Sequence, residues 1–293
     1  MRGLRIADVS IALETEGLGL DASFPATHAA FVANAAWPDI RVHASWADLL
    51  PAKGDARVFD ATGAWTLTRS RGEYVLDFFT PLRGETPYKR LIANDDWSRG
   101  QLALHRAFYP ADGAAKALDY PLDELLLVHY LAQRSGVIVH ACGVVDDDGK
   151  GYLFVGHSGA GKTTTALLWN DLPGVTILSD DRIVIRRGEE GTLMHGTPWH
   201  GESRLSAPGF ARLTAIFLLE HGDANGLAPV KRVEAVAGLV ARSFLPFHDR
   251  GGVANVMSLL EDLLDEVPCQ RFSFVPGPAA VDAVRGWARH RDA

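Results

Sequence analysis

Cysteine is scarce: Cys142 and Cys269 are the only two in 293 residues. Their spacing offers neither a metal-ligand pair nor a disulfide framework, which predicts a reducing, cytoplasmic location. Long hydrophobic runs are missing too. No stretch reaches the roughly eighteen apolar residues of a membrane span. The apolar N-terminal segment MRGLRIADVSIALETEGLGL is broken by Glu14 and Glu16, so it reads neither as a signal peptide nor as a span. Positive charge is in deficit, with 29 Lys+Arg against 36 Asp+Glu and a formal net charge of -7. The acidic residues are scattered and no basic face emerges, so neither nucleic acid nor membrane is expected as a partner. Internal repeats and low-complexity tracts are absent from the sequence as well. What remains is an ordinary globular composition, 47% hydrophobic and 22% charged, sufficient for one large or two modest domains.

Residues 1 to about 110 favour strands: RIADVSIAL, DIRVHASW, ARVFDAT, and the pair WTLTRS and YVLDFF, which reads as a hairpin about Arg71, Gly72 and Glu73. ATHAAFVANAAW is the single helical candidate there. No catalytic cluster stands out from the polar surface of this segment. Pro110, Asp112, Gly113 and Pro121 mark a junction, and LDELLLVHYLAQRSG follows with helical spacing and Gly136 as its expected C-cap. The expected domains are therefore 1–115 and 116–293.

In the second part, VIVHACGVVDD and KGYLFVGHSG read as two strands joined through Asp146, Asp147, Asp148 and Gly149. A helix from Thr163 to Asn170, a break at DLPG and the strand VTILSDD come next. RIVIRRGEEGTLM reads as another hairpin, LTAIFLLE as a buried strand, and VANVMSLLEDLLDEV as an amphipathic helix ending before Pro268.

The turn between KGYLFVG and the first of these helices carries the chemistry. Gly156, four residues, Gly161, Lys162 and Thr163 match G-x-x-x-x-G-K-[ST], between an apolar strand and a helix as that motif requires. Glycines let backbone N–H groups converge on phosphate oxygens, and the helix presents the positive end of its dipole. Gly156, His157, Ser158, Gly159, Ala160, Gly161, Lys162, Thr163 and Thr164 are thus the candidate nucleotide contacts. Lys162 would serve the β and γ phosphates, and Thr163 would hold Mg²⁺.

Asp180 and Asp181 end an apolar strand expected beside the loop strand. Neighbouring strand residues point to opposite faces, so two working carboxylates require the strand to stop or bend there. Paired carboxylates with apolar flanks need a cation, or one must hold a proton. Asp180 is assigned as base and Asp181 as metal-linked, with a solvated turn as the plain alternative. His140 closes the strand GVIVH. A lone histidine at a strand end is commonly a packed residue, but here the hairpin brings it toward the edge that carries the aspartates.

Taken together, VIVHACGVV, LFVGHSGAGKT and ILSDDRIVI, within residues 120 to 275, resemble the catalytic domain of the HPr kinase/phosphorylase family. That fold is shared in outline with phosphoenolpyruvate carboxykinase. The resemblance implies an α/β P-loop kinase domain with a mixed sheet, preceded here by a strand-rich α+β domain. It carries the family's site roles onto His140, Lys162, Thr163, Asp180 and Asp181. It further implies ATP and Mg²⁺ as cofactors, phosphorylation of a serine hydroxyl, and a homo-oligomer. The family's downstream signature, resembling LEIRGLGI, is replaced by HGTPWHGESRLSAPG at 195 to 209, and the first 110 residues do not read as the bifunctional enzymes' regulatory domain. An HPr-kinase-related kinase without efficient phosphorylase activity is therefore expected. Some relatives look like kinases that tailor ribosomal peptides, lasso peptides among them.

Within the replacement segment, a rigid turn is expected to carry Trp199, His200, Glu202 and Arg204 to the site. Arg204 is the candidate to stabilise charge on the transferring phosphoryl group, or else a surface arginine. His195 and His200 lack the helix and third ligand a metal site needs. PFHDRGG, with His248, Asp249 and Arg250, reads as a mobile lid or as a connector. Two function classes follow. One is an Mg·ATP kinase of an alcohol hydroxyl, on a peptide or protein serine or on a small molecule. The other is an ATP-binding regulator without transfer.

Overall fold

The computed structural model describes residues 2–51, 56–81, 84–110, 115–189 and 191–292. Asp112 and Gly113 of the expected junction, and Glu190 of the second hairpin, lie outside them. Contacts divide the chain into Met1–Tyr130 and Leu131–Ala293, so the division falls inside a helix rather than at 115/116. Packing explains the difference. In that helix, α1 (Leu122–Ala132), Asp123 accepts from buried His28 at 2.6 Å and His129 stacks on Trp97 with ring centroids 4.1 Å apart.

The first unit holds β1 (Arg2–Ile6), β2 (Val9–Glu16), β3 (Leu20–Asp21), β4 (Val32–Asn34), β5 (Ile40–Ala47), β6 (Ala56–Asp60), β7 (Trp65–Ser70), β8 (Glu73–Phe78), β9 (Lys89–Ala93), β10 (Arg99–His105) and β11 (Ala115–Lys116). Among the described residues, nine of these form one sheet in the order β4-β1-β2-β5-β10-β9-β8-β7-β6. Period-two alternation buries Val42 and Ala44, Leu76 and Phe78, and Leu102 and Leu104 on one face. The expected hairpin is present, tightened to a two-residue turn: Arg71 and Gly72 take φ of 52° and 89°, and Glu73 already pairs with Ser70. The helix expected over 26–37 is replaced by a 3-10 helix, Ala26–Phe31, and then β4. Val32 pairs with Leu4 of β1, so sheet partnership overrides the local helical spacing.

The second unit is a mixed α/β structure. Its strands are β12 (Gly136–Val145), β13 (Gly151–Val155), β14 (Thr176–Ser179), β15 (Arg182–Gly188), β16 (Gly191–His195), β17 (Phe210–His221), β18 (Gly226–Pro229) and β19 (Cys269–Phe274). Its helices are α2 (Lys162–Asn170), α3 (Arg232–Val240), α4 (Arg250–Glu266) and α5 (Pro278–Asp292). β13 runs parallel to β17, and β17 parallel to β19, while β12 is antiparallel to β13, β14 and β15. Apolar side chains cover both faces. Val137, Val139, Leu153, Val155 and Ile216 pack with Leu239, Val256, Leu260 and Leu263 of α3 and α4. On the other face Cys142, Val144, Phe154 and Phe217 pack with Trp169 of α2 and Val281 and Val284 of α5. Burial on both faces is why these strands read as continuous apolar runs.

Gly136 opens β12 rather than capping α1; the left-handed residue there is Ser135, φ 51°. A Cβ at Gly136 would stand 2.9 Å from Leu131 and 3.2 Å from Arg186, so the position requires glycine for close approach.

Candidate functional site

β12 changes partners midway. Gly136 to His140 pair with β15, and Ala141 to Val145 pair with β13. His140 is thus the last residue before the switch. Opposite it, β14 ends at Ser179 and β15 begins at Arg182, leaving Asp180 and Asp181 in the gap. This interruption meets the requirement that adjacent carboxylates both be usable. One expectation changes: β14 pairs with β12, which lies between it and the loop strand β13.

Across the gap, His140 Nε2 stands 2.9 Å from Asp181 Oδ1, with the two side chains 29% and 25% exposed. Arg182 Nη1 holds the other oxygen of Asp181, and its guanidinium lies 4.4 Å from the Phe244 ring centroid. Burial opposes ionisation of Asp181. The hydrogen bond from His140 and the charges of Arg182, His140 and Lys162 outweigh it and hold its pKa below the usual carboxylate value.

Asp180 is buried and committed elsewhere. Its Oδ1 accepts from Gly201 N at 2.7 Å, and its Oδ2 accepts from Ser203 N at 3.1 Å and from the Ser203 hydroxyl. The 195–209 segment is strapped to β14 by Ser179 Oγ donating to Trp199 O at 2.8 Å, by Asp180 N donating to Leu205 O at 3.2 Å, and by a Ser179–Ser206 bridge.

The glycine-rich loop expected to bind phosphate runs from β13 into α2. Gly159 and Gly161 take φ of 83° and 104°, the left-handed region that turns successive N–H groups to one side. A Cβ on Gly161 would meet Phe274 at 2.7 Å, and one on Gly156 would meet Ala160 at 2.7 Å. No side chain caps α2 and its first turn carries no acidic residue, so its leading amides suit an anion. Lys162 is folded onto the loop, donating to Gly156 O at 2.9 Å and His157 O at 3.1 Å. Burial lowers its pKa against the pull of Asp181, and the like charge of Arg242 adds to the lowering.

His140, Ser158, Gly159, Gly161, Lys162, Thr163, Thr164, Asp180, Asp181, Gly201 and Glu202 line one cleft of about 400 Å³. Two clefts of about 410 and 300 Å³ on the first unit contain no comparable convergence of loop, lysine and carboxylates. Arg204 is exposed, takes φ 55° and does not line the cleft. Trp199 is buried, and its carbonyl anchors the strap while its ring stays out of the cleft lining. His200 Nδ1 stands 3.0 Å from Gly201 O. In PFHDRGG, Asp249 caps α4, accepting from Gly252 N at 3.0 Å, and Arg250 is the first helical residue.

Arg242 was not singled out by its sequence context. Its carbonyl accepts from His140 N at 2.7 Å, beside an isolated Val139–Ser243 bridge. Its Nε is buried without a hydrogen-bond partner. No local pattern marks it, because its position comes from a bridge to a strand a hundred residues earlier.

The donor set fits a hard divalent cation. Thr163 offers a hydroxyl and Asp181 and Glu202 carboxylates, and Mg²⁺ generally takes one or two carboxylates together with phosphate oxygens and water. Among the described residues, the compact three-carboxylate group lies elsewhere, at Asp146, Asp147 and Asp148. Asp146 is bound there by Arg285 and Asp148 by Lys150, so that group is accounted for within the fold.

No family model matches the chain, and no curated protein matches it. Among solved structures it is similar to the Hpr(Ser) kinase/phosphatase from Coxiella burnetii, with 13% identity and a TM-score of 0.33. That match covers 53% of this chain and 99% of the other. No helix among the described residues is long and apolar enough to cross a membrane.

Proposed function

We propose that this protein is an ATP- and Mg²⁺-dependent phosphotransferase that moves the γ-phosphate to an alcohol hydroxyl, with a peptide or protein serine as the acceptor. The observation that carries the reading is the one cleft shared by Ser158, Gly159, Gly161, Lys162, Thr163, Asp181 and His140. The reading rests also on the sequence resemblance, which supplies the acceptor class, and the scarcity of cysteine supports a cytoplasmic setting. A small-molecule alcohol is the alternative acceptor.

The loop amides and the α2 N-terminus bind and orient the phosphates. Lys162 exchanges its two carbonyl partners for charge-assisted bonds to phosphate oxygens. Thr163 and Glu202 would hold Mg²⁺, which when bound neutralises charge on the phosphates. Arg242 lies outside the cleft lining, as Arg204 does, but its backbone holds His140 and its charge reaches Lys162, which makes it the candidate to stabilise charge developing on the phosphoryl group. The Asp181–His140 pair faces the cleft and takes the proton of an entering hydroxyl, while Asp180 holds the 201–203 turn. This reading moves the base from Asp180, the sequence assignment, to Asp181.

The test is transfer of labelled γ-phosphate from ATP to candidate acceptors, beginning with peptides encoded beside the gene. ATP binding with no transfer to any acceptor would favour the regulator reading and sink this one.

A further inference from the structure

Ser203 presents a hydroxyl that is already bonded to a carboxylate. Its Oγ donates to Asp180 Oδ2, and its own N–H donates to the same oxygen at 3.1 Å. Asp180 lines the cleft of Lys162 and Thr163, as do Gly201 and Glu202, the two residues before Ser203. The approach is close. A Cβ at Gly201 would stand 2.9 Å from Asp180 Oδ2, so a side chain there would push the turn off the carboxylate. The turn is fixed on both sides, by Ser179 Oγ to Trp199 O and by Asp180 N to Leu205 O. An alcohol supplied by the chain is therefore bonded to a carboxylate of the cleft and follows directly on two residues that line it beside the glycine-rich loop. Ordering of this kind is what intramolecular reactions use to replace a bimolecular encounter.

We infer that Ser203 is a phosphorylation site of the protein's own cleft, modified from ATP within the same chain. The inference rests on the phosphotransferase reading and adds an acceptor to it. In the step, a bond forms between Ser203 Oγ and the γ-phosphorus as the bond from that phosphorus to the β,γ-bridging oxygen breaks. ADP leaves with the electron pair, and Asp180 Oδ2 receives the hydroxyl proton. The phosphate would then stand beside Asp180, and like-charge repulsion would loosen the turn. Asp180 so acts as base toward an internal hydroxyl, while Asp181 and His140 face an entering one.

The experiment incubates the full chain with Mg²⁺ and γ-labelled ATP in the absence of any acceptor, followed by intact mass and phosphopeptide mapping. Label is expected on Ser203 at a rate independent of protein concentration. It should appear as phosphothreonine in S203T and fall to background in S203A and K162A. Turnover of ATP to ADP with Ser203 unmodified overturns the inference and leaves the phosphotransferase reading standing. Label on Ser203 that persists in K162A, or a rate that rises with protein concentration, also overturns it. Absence of both ATP binding and ADP formation overturns both readings.

Discussion

His140 Nε2 and Asp181 Oδ1 face each other at 2.9 Å where β12 passes from one set of partners to the other. The contact joins the strand before the phosphate loop to the gap after β14. A group that both orients a carboxylate and faces the cleft is exposed to removal from either side. His140→Ala and Asp181→Asn should each lower kcat about 10²- to 10⁴-fold, the usual worth of a positioned proton-transfer group. Steady-state kinetics on both variants and the double variant checks this: a fully additive double loss would show that the two do not act as a unit.

The same pair predicts a pH dependence of stability. The folded-state pKa of Asp181 is depressed, so its ionised form contributes stability that is present above the ordinary carboxylate pKa near 4. That contribution is lost as pH falls through the folded value. Urea midpoints from pH 7 to pH 2 should therefore differ between wild type and Asp181→Asn at the upper end and converge at the acid end.

Lys162→Met should abolish transfer while leaving thermal stability nearly unchanged at pH 7. Burial disfavours the ammonium, and removing it offsets the loss of two bonds to loop carbonyls. A fall in Tm beyond about 5 °C, more than roughly 1 kcal/mol for a unit of this size, would show that the lysine is chiefly a structural tie.

Gly161→Ala combines a left-handed φ of 104° with a Cβ contact of 2.7 Å to Phe274. We expect a loss of about 1–3 kcal/mol in stability and of ATP binding together. Chemical denaturation and calorimetric titration measure the two separately.

Arg242→Ala should lower kcat about 10²- to 10³-fold, whereas Arg204→Ala, at an exposed position, should be within a few-fold of wild type. The reverse ranking in the same assay would return the phosphoryl-stabilising role to Arg204.

The sequence by itself determined the shape of the glycine-rich loop, because its geometry is local: Gly159 and Gly161 supply positive φ, and Lys162 and Thr163 follow within one turn. It also determined the double-sided burial of GYLFV and TAIFLL, written as unbroken apolar runs, and the need for the chain to break at Asp180 and Asp181. Both aspartates line the cleft, and only the tertiary structure decided which of them is held by the 201–203 turn. Adjacent residues are equivalent in composition, and the distinction comes from Gly201 and Ser203, some twenty residues later, docking on Asp180. Arg242 and the strand Val32–Asn34 were hidden for the same reason. A β-bridge joins residues distant in the chain, and no local periodicity records which partner will satisfy a backbone N–H.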